Sequence, residues 1–147
     1  MHVTIVTSVA HDEATGEWGW SGVGQSGKST FRTNGRLLER PADRTEACIM
    51  AAANALHRAL VAEKVMPGDH VLLGLDDIDA VIDLTVYPAV RKERDILARA
   101  ARAFASWQDR YDIGIEFRHT RALGRERWMR NACEVMAQAP LSSGRMT

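Results

Sequence analysis

Four stretches of this sequence put chemically useful side chains close together. His11-Asp12-Glu13 offers an imidazole and two carboxylates, donor types found in small metal sites. The same residues also make an ordinary solvated turn. Gly22, Gly27, Lys28 and Ser29 meet the GxxxxGK[ST] spacing of a phosphate-binding loop. That loop needs a strand before it and a helix directly after it. Here Thr30-Phe31-Arg32-Thr33 continues as strand, so the match is accidental. Arginines gather at Arg118, Arg121, Arg125, Arg127 and Arg130, and again at Arg91, Arg94, Arg99 and Arg102 around Lys92. Guanidinium forks suit phosphate oxygens, although such runs are also the common make-up of a solvated face. Cys48 and Cys133 belong to no CxxC pair and have no His at metal-ligand spacing. They read as buried free thiols of a reducing cytosol.

The chain that must position these groups has 147 residues, one domain's worth, and 46% of them are apolar, enough for a single core. Charged residues make up 26%, which argues against wholesale disorder. Nineteen basic residues balance 19 acidic ones, excluding a globally basic nucleic-acid binder but not a local basic patch. Sixteen of the 19 basic residues are arginine, a bias that a GC-rich genome explains as well as phosphate binding does. No apolar run approaches the roughly 20 residues of a membrane span. Met1-His2-Val3-Thr4 carries no basic stretch followed by a long apolar one. The expectation is a cytoplasmic protein.

The element pattern begins with β-branched His2 to Thr7 as a strand, and Ala10 to Gly16 as a loop. Trp18 to Gly24 reads as a second strand, Gln25 to Lys28 as a hairpin turn and Ser29 to Leu38 as a third strand. Trp18 and Trp20 share a strand face, which places them under or beside the first helix. Asp43 is an N-cap candidate with Glu46 three residues on, as in a capping box. Ile49, Ala52, Ala53, Leu56 and Leu60 then recur at helical spacing to about Ala62–Lys64. His70 to Leu75 reads as a buried strand, and Ala80 to Leu84 as a short helix capped by Asp77. A long helix starts at Pro88 and carries the stripe Ile96, Leu97, Ala100, Ala103, Phe104 and Trp107. Ile113 to Arg118 is a fifth strand, Thr120 to Arg125 a loop, and Trp128 to Ala139 a last helix. Leu141 to Thr147 reads as a frayed tail, so the domain is expected to span 1–140. The order βββ-α-β-α-β-α predicts an α/β protein with a mixed sheet flanked by helices.

Over about residues 2–139 this pattern resembles the ribonuclease H-like fold, and more narrowly a type 1 ribonuclease H domain. Three segments carry the resemblance: Arg44-Thr45-Glu46-Ala47-Cys48 through Leu56, Val71-Leu72-Leu73-Gly74-Leu75-Asp76, and Asn131-Ala132-Cys133-Glu134 through Ala139. Trp18-Gly19-Trp20 also sits where the family opens its second strand with an aromatic-Gly pair. The implied fold is a five-stranded mixed sheet, an antiparallel three-strand meander plus two parallel strands. The implied activity is divalent-metal-dependent hydrolysis of RNA in RNA/DNA hybrids, with two Mg2+ or Mn2+ ions held by four carboxylates.

The resemblance places Glu46, Asp76 and Glu134 as catalytic residues and metal ligands. The fourth position, on the first strand, is Ser8 where the family has a bridging Asp. A hydroxyl does not replace that charge, and the loss should cost several powers of ten in rate. Asp12 or Glu13, reached by a shifted strand or a folded-back loop, is the substitute metal ligand the sequence offers, with Asp12 the first choice. Asp77 and Asp79 lie close by, Asp77 reading better as a helix cap. His119 does not align with the family's loop His and reads as a partly exposed strand residue. Arg121, Arg125 and Arg94 are the expected phosphate contacts. The implied partner is an RNA/DNA hybrid or another A-like duplex. Two functions follow: a nuclease with an impaired site, or a catalytically inactive ribonuclease H-like module that binds nucleic acid or a protein.

Overall fold

The computed structural model describes residues 1–90, 92–123 and 127–145, with 142–145 by backbone alone. Five strands form one sheet: β1 (His2–Asp12), β2 (Glu17–Ser26), β3 (Ser29–Arg36), β4 (His70–Leu75) and β5 (Gly114–His119). Their order is β3-β2-β1-β4-β5. The β1–β2 and β2–β3 pairs are antiparallel, and β1–β4 and β4–β5 are parallel. The helices are α1 (Arg44–Val61), α2 (Ile78–Val86), α3 (Asp95–Tyr111) and α4 (Arg127–Arg145), with a 3-10 turn at Thr120–Ala122. The expected meander and mixed sheet are both present.

Strand alternation sorts β1 between two cores. Val3, Ile5 and Val9 pack with α1, α2 and α3 residues such as Leu56, Leu84 and Phe104. Val6 turns the other way and packs with Val23 and with Met129 and Cys133 of α4. Trp20 is buried in the α1-side core and Trp107 packs at its edge. Trp18 stacks on His11 with ring centroids 4.2 Å apart. Both cysteines are buried and free.

Caps set where the site-bearing helices begin. Asp43 Oδ1 accepts the Glu46 N–H at 3.0 Å. Glu46 Oε1 reaches past the cap to the Ala42 N–H, a variant of the capping box. Asp77 Oδ2 caps α2 through the Ala80 N–H.

Three elements depart from the sequence expectation. β1 does not stop at Thr7, because its pairing with β2 continues to Asp12 opposite Glu17. The long helix starts at Asp95 and not at Pro88; the helical apolar stripe begins only at Ile96, and Val90 instead packs inward as part of the preceding segment. The last helix does not fray after Ala139 but runs to Arg145 through Pro140. Proline has no N–H, so the carbonyl four residues earlier loses its helical donor. That carbonyl belongs to Met136, and Asn34 of β3 donates its side-chain N–H to it at 3.0 Å. Arg36 donates to the Pro140 carbonyl at 2.8 and 3.0 Å, and Leu141 is buried. Close approach of α4 also requires Gly19, since a Cβ there would collide with the Ala137 carbonyl oxygen.

Candidate nucleic-acid interface

Asp76 follows the last residue of β4, beside the centre of the sheet. Together with Arg121, Arg130, Asn131 and Glu134 it lines an open depression of about 380 Å3. The depression therefore joins the end of β4, the 3-10 turn and the first turns of α4. Ser8 is buried in β1, opposite Ser21 of β2. It lies two residues beyond Val6 and so shares the α4 side of the sheet.

Asp76 is already paired. Arg44 Nη2, from the first residue of α1, binds its Oδ2 at 2.9 Å, and the Thr120 hydroxyl donates to its Oδ1 at 3.4 Å. One turn along α1 from Arg44, Cys48 meets the Asp76 backbone. Burial pushes the Cys48 thiol up to about 12, so on its own it stays neutral near pH 7.

Glu46 does not join Asp76. Two helical positions are about 200° apart at 3.6 residues per turn, so Glu46 lies on a different face from Arg44 and Cys48. Its Oε2 pairs with Arg94 at 3.2 Å, and the same guanidinium binds Asp43 Oδ2 at 2.6 Å. Two sequence expectations are corrected here. Glu46 is an interior partner of Arg94, and Arg94 is engaged by two carboxylates where an open phosphate contact was expected. Asp12 is also not delivered to the depression. β1 runs straight on from Ser8, placing Asp12 about 13 Å further along at 3.3 Å per residue, where its side chain accepts the Ala14 N–H.

Of the expected ligands, the structure thus gathers Asp76 and Glu134 alone, and Arg121 joins them. Arg125 lies outside the described residues. His119 ends β5 half-buried, as expected of a strand residue. Arg130 belongs to the arginine cluster noted in the sequence, whereas Arg44, Cys48 and Asn131 are not singled out there as site residues. The i, i+4 spacing of Arg44 and Cys48 was the available signal for a shared helix face.

A pair of divalent cations does not fit these residues. Hard cations need several carboxylates converging without competing cations. Here two carboxylates share the depression with Arg121 and Arg130, and Arg44 binds one of them. Among the described residues no group of three or more His, Cys, Asp or Glu side chains is arranged to hold a metal ion.

The chain is similar in structure to known ribonuclease H domains. Ribonuclease H1 of the halophilic archaeon Halobacterium salinarum NRC-1 superposes with a TM-score of 0.67 at 16% identity, over 97% of this chain and 99% of that one. The N-terminal ribonuclease H domain of rv2228c from Mycobacterium tuberculosis gives 0.59 at 13%, over 94% and 97%. LC11-RNase H1, solved in complex with an RNA/DNA hybrid, gives 0.54 at 14%, over 84% and 89%. No family model and no curated protein matches the chain. The fold is therefore ribonuclease H-like. Among the described residues no helix is long and apolar enough to cross a membrane.

Proposed function

We propose that this chain binds a nucleic-acid duplex of the RNA/DNA hybrid kind and does not hydrolyse it. The observation that carries the reading is the Arg44–Asp76 ion pair, with Arg121 and Arg130 lining the same depression. Where the resemblance calls for cations held by carboxylates, the protein supplies guanidinium groups of its own. Guanidinium forks bind phosphate oxygens bidentately. The described depression, with Arg44, has three guanidiniums against the carboxylates of Asp76 and Glu134, so its balance favours an anion. The fold adds support, since a neighbour of the same architecture was solved holding an RNA/DNA hybrid. In this role Arg121 and Arg130 contact the backbone, Asn131 donates beside them, and Arg44 and Asp76 hold each other in place.

The test is a labelled RNA/DNA hybrid, followed for binding by fluorescence anisotropy and for cutting on a denaturing gel. It is run in EDTA, Mg2+ and Mn2+, beside a Ser8→Asp variant. The expected result is binding in EDTA that weakens with salt, and no cutting by the wild type in either metal. Arg121→Ala should lower the slope of log K against log salt by about one. The competing nuclease reading rests on Asp76 and Glu134 lining one depression. Wild-type cutting that Asp76→Asn abolishes would establish that reading and overturn ours.

A further inference from the structure

At the far end of α1 from Arg44, a second depression of about 480 Å3 opens between the helix's last turns and β3. Over its 18 residues α1 is about 27 Å long, so this groove is separate from the depression at Asp76. Its walls are largely apolar: Phe31, Ala59, Ala62 and Val61, the last 67% exposed. The Phe31 ring tip fills the space that a Cβ on Gly24 would take. Arg32, Arg58 and Lys64 surround this floor, and among the described residues no acidic one lines it.

Among the described residues the charge at this rim has no carboxylate partner. Eight ion pairs among the described residues use Arg36, Arg44, Arg94, Arg99, Arg118 and the N-terminus as cations, and the His70 imidazole lies 4.0 Å from Glu116. None involves Arg32, Arg58 or Lys64. Arg58 is fixed without a carboxylate: it lies over Trp20 at 4.8 Å and donates to Thr33 Oγ1 at 3.0 Å and to the Asn34 carbonyl at 2.9 Å. A fixed guanidinium with no anion of its own, beside two exposed cations and an apolar floor, asks for a ligand that is both acidic and apolar.

We propose that this groove docks an acidic peptide segment of a partner protein, with one aromatic or large aliphatic side chain seated against Phe31, Ala59 and Val61. Carboxylates on either side of that anchor pair with Arg32, Arg58 and Lys64. The volume lies within the range of small-ligand pockets and admits one anchoring side chain. β3 is an outer strand of the sheet, so an extended peptide finds strand backbone alongside the groove. A single nucleic-acid strand matches the charge but lays polar sugar and phosphate against the apolar floor, and is the poorer occupant.

The probe is a short fluorescein-labelled peptide of aspartates around one central phenylalanine, titrated with the full chain and read by anisotropy. Saturable binding is expected, at least about tenfold weaker when the peptide's phenylalanine is alanine. The double variant Arg32→Glu, Lys64→Glu should weaken it at least about tenfold, and Val61→Asp should do the same through the apolar wall. Both variants change exposed side chains, and an unchanged Tm and unchanged hybrid binding verify that the fold is intact. Absence of saturable binding below millimolar concentration overturns the proposal. So does peptide binding that ignores both variants, and so does oligothymidylate binding in the groove where the peptide does not bind.

Discussion

Arg44 donates to the carboxylate of Asp76 at 2.9 Å, so the protein's own cation meets the acid just after β4. Both side chains are partly exposed, at 48% and 22%, and such pairs add only about 0.2–1 kcal/mol to stability. The consequence of the pair is therefore functional. Asp76→Asn frees the Arg44 guanidinium and removes a negative charge from the depression. Affinity for an RNA/DNA hybrid in EDTA should rise a few-fold, with little change in Tm. A metal ligand would behave oppositely, its loss weakening binding only when Mg2+ is present.

Metal affinity provides a separate check. Calorimetric titration with Mn2+ should show no site tighter than about millimolar in the wild type. Replacing the hydroxyl by a carboxylate and removing the competing cation, in Ser8→Asp with Arg44→Ala, should introduce one. A tight wild-type site would contradict the charge argument.

Asn34→Ala removes the donor that satisfies the Met136 carbonyl across from Pro140. An unsatisfied, partly buried carbonyl costs about 1–3 kcal/mol. Urea unfolding should therefore show that loss. Replacing Pro140 by Ala in the same background restores an N–H at that point of α4 and should recover part of it.

Partial burial alone would raise the Asp43 carboxyl, but the Glu46 N–H and the Arg94 guanidinium outweigh it and hold it below the ordinary 3.8. A folded-state value lower than the unfolded one stabilises fully above the unfolded pKa, and the gain fades as pH falls through the folded one. Asn caps helices about as well as Asp, so Asp43→Asn isolates the charge. The wild type should be more stable than the variant at pH 7, and the gap should narrow below about pH 3.8.

Cys48 and Cys133 should resist a thiol reagent at pH 8 in the native state. Both are buried, and burial pushes each thiol up to about 12. Labelling should appear only with global unfolding, tracking the loss of circular dichroism in urea.

Much of this fold was readable in the chain because its signals are local. The β-branched opening, the Asp43 and Asp77 caps and the apolar run at Val71–Leu75 each specify an element through neighbouring residues alone. The order of those elements was enough to suggest the sheet. The ends of β1, α3 and α4 were less legible, since each is decided by pairing or packing outside its own run of residues. Glu17 extends β1, the inward packing of Val90 precedes a later start for α3, and Asn34 carries α4 past Pro140.

The carboxylates expected at the site were also visible as residue types in order along the chain. Their convergence was not, because the direction of a side chain depends on helix phase and on what else competes for it. Order alone aligned Glu46 with Asp76, but the turn of α1 sends Glu46 to Arg94 and presents Arg44 and Cys48 to Asp76 instead. The sequence by itself determined the elements, their caps and the substitution at Ser8. Tertiary structure alone decided which charges meet, because a cation 32 residues away in sequence neutralises an acid only once the sheet has brought the two within hydrogen-bonding distance.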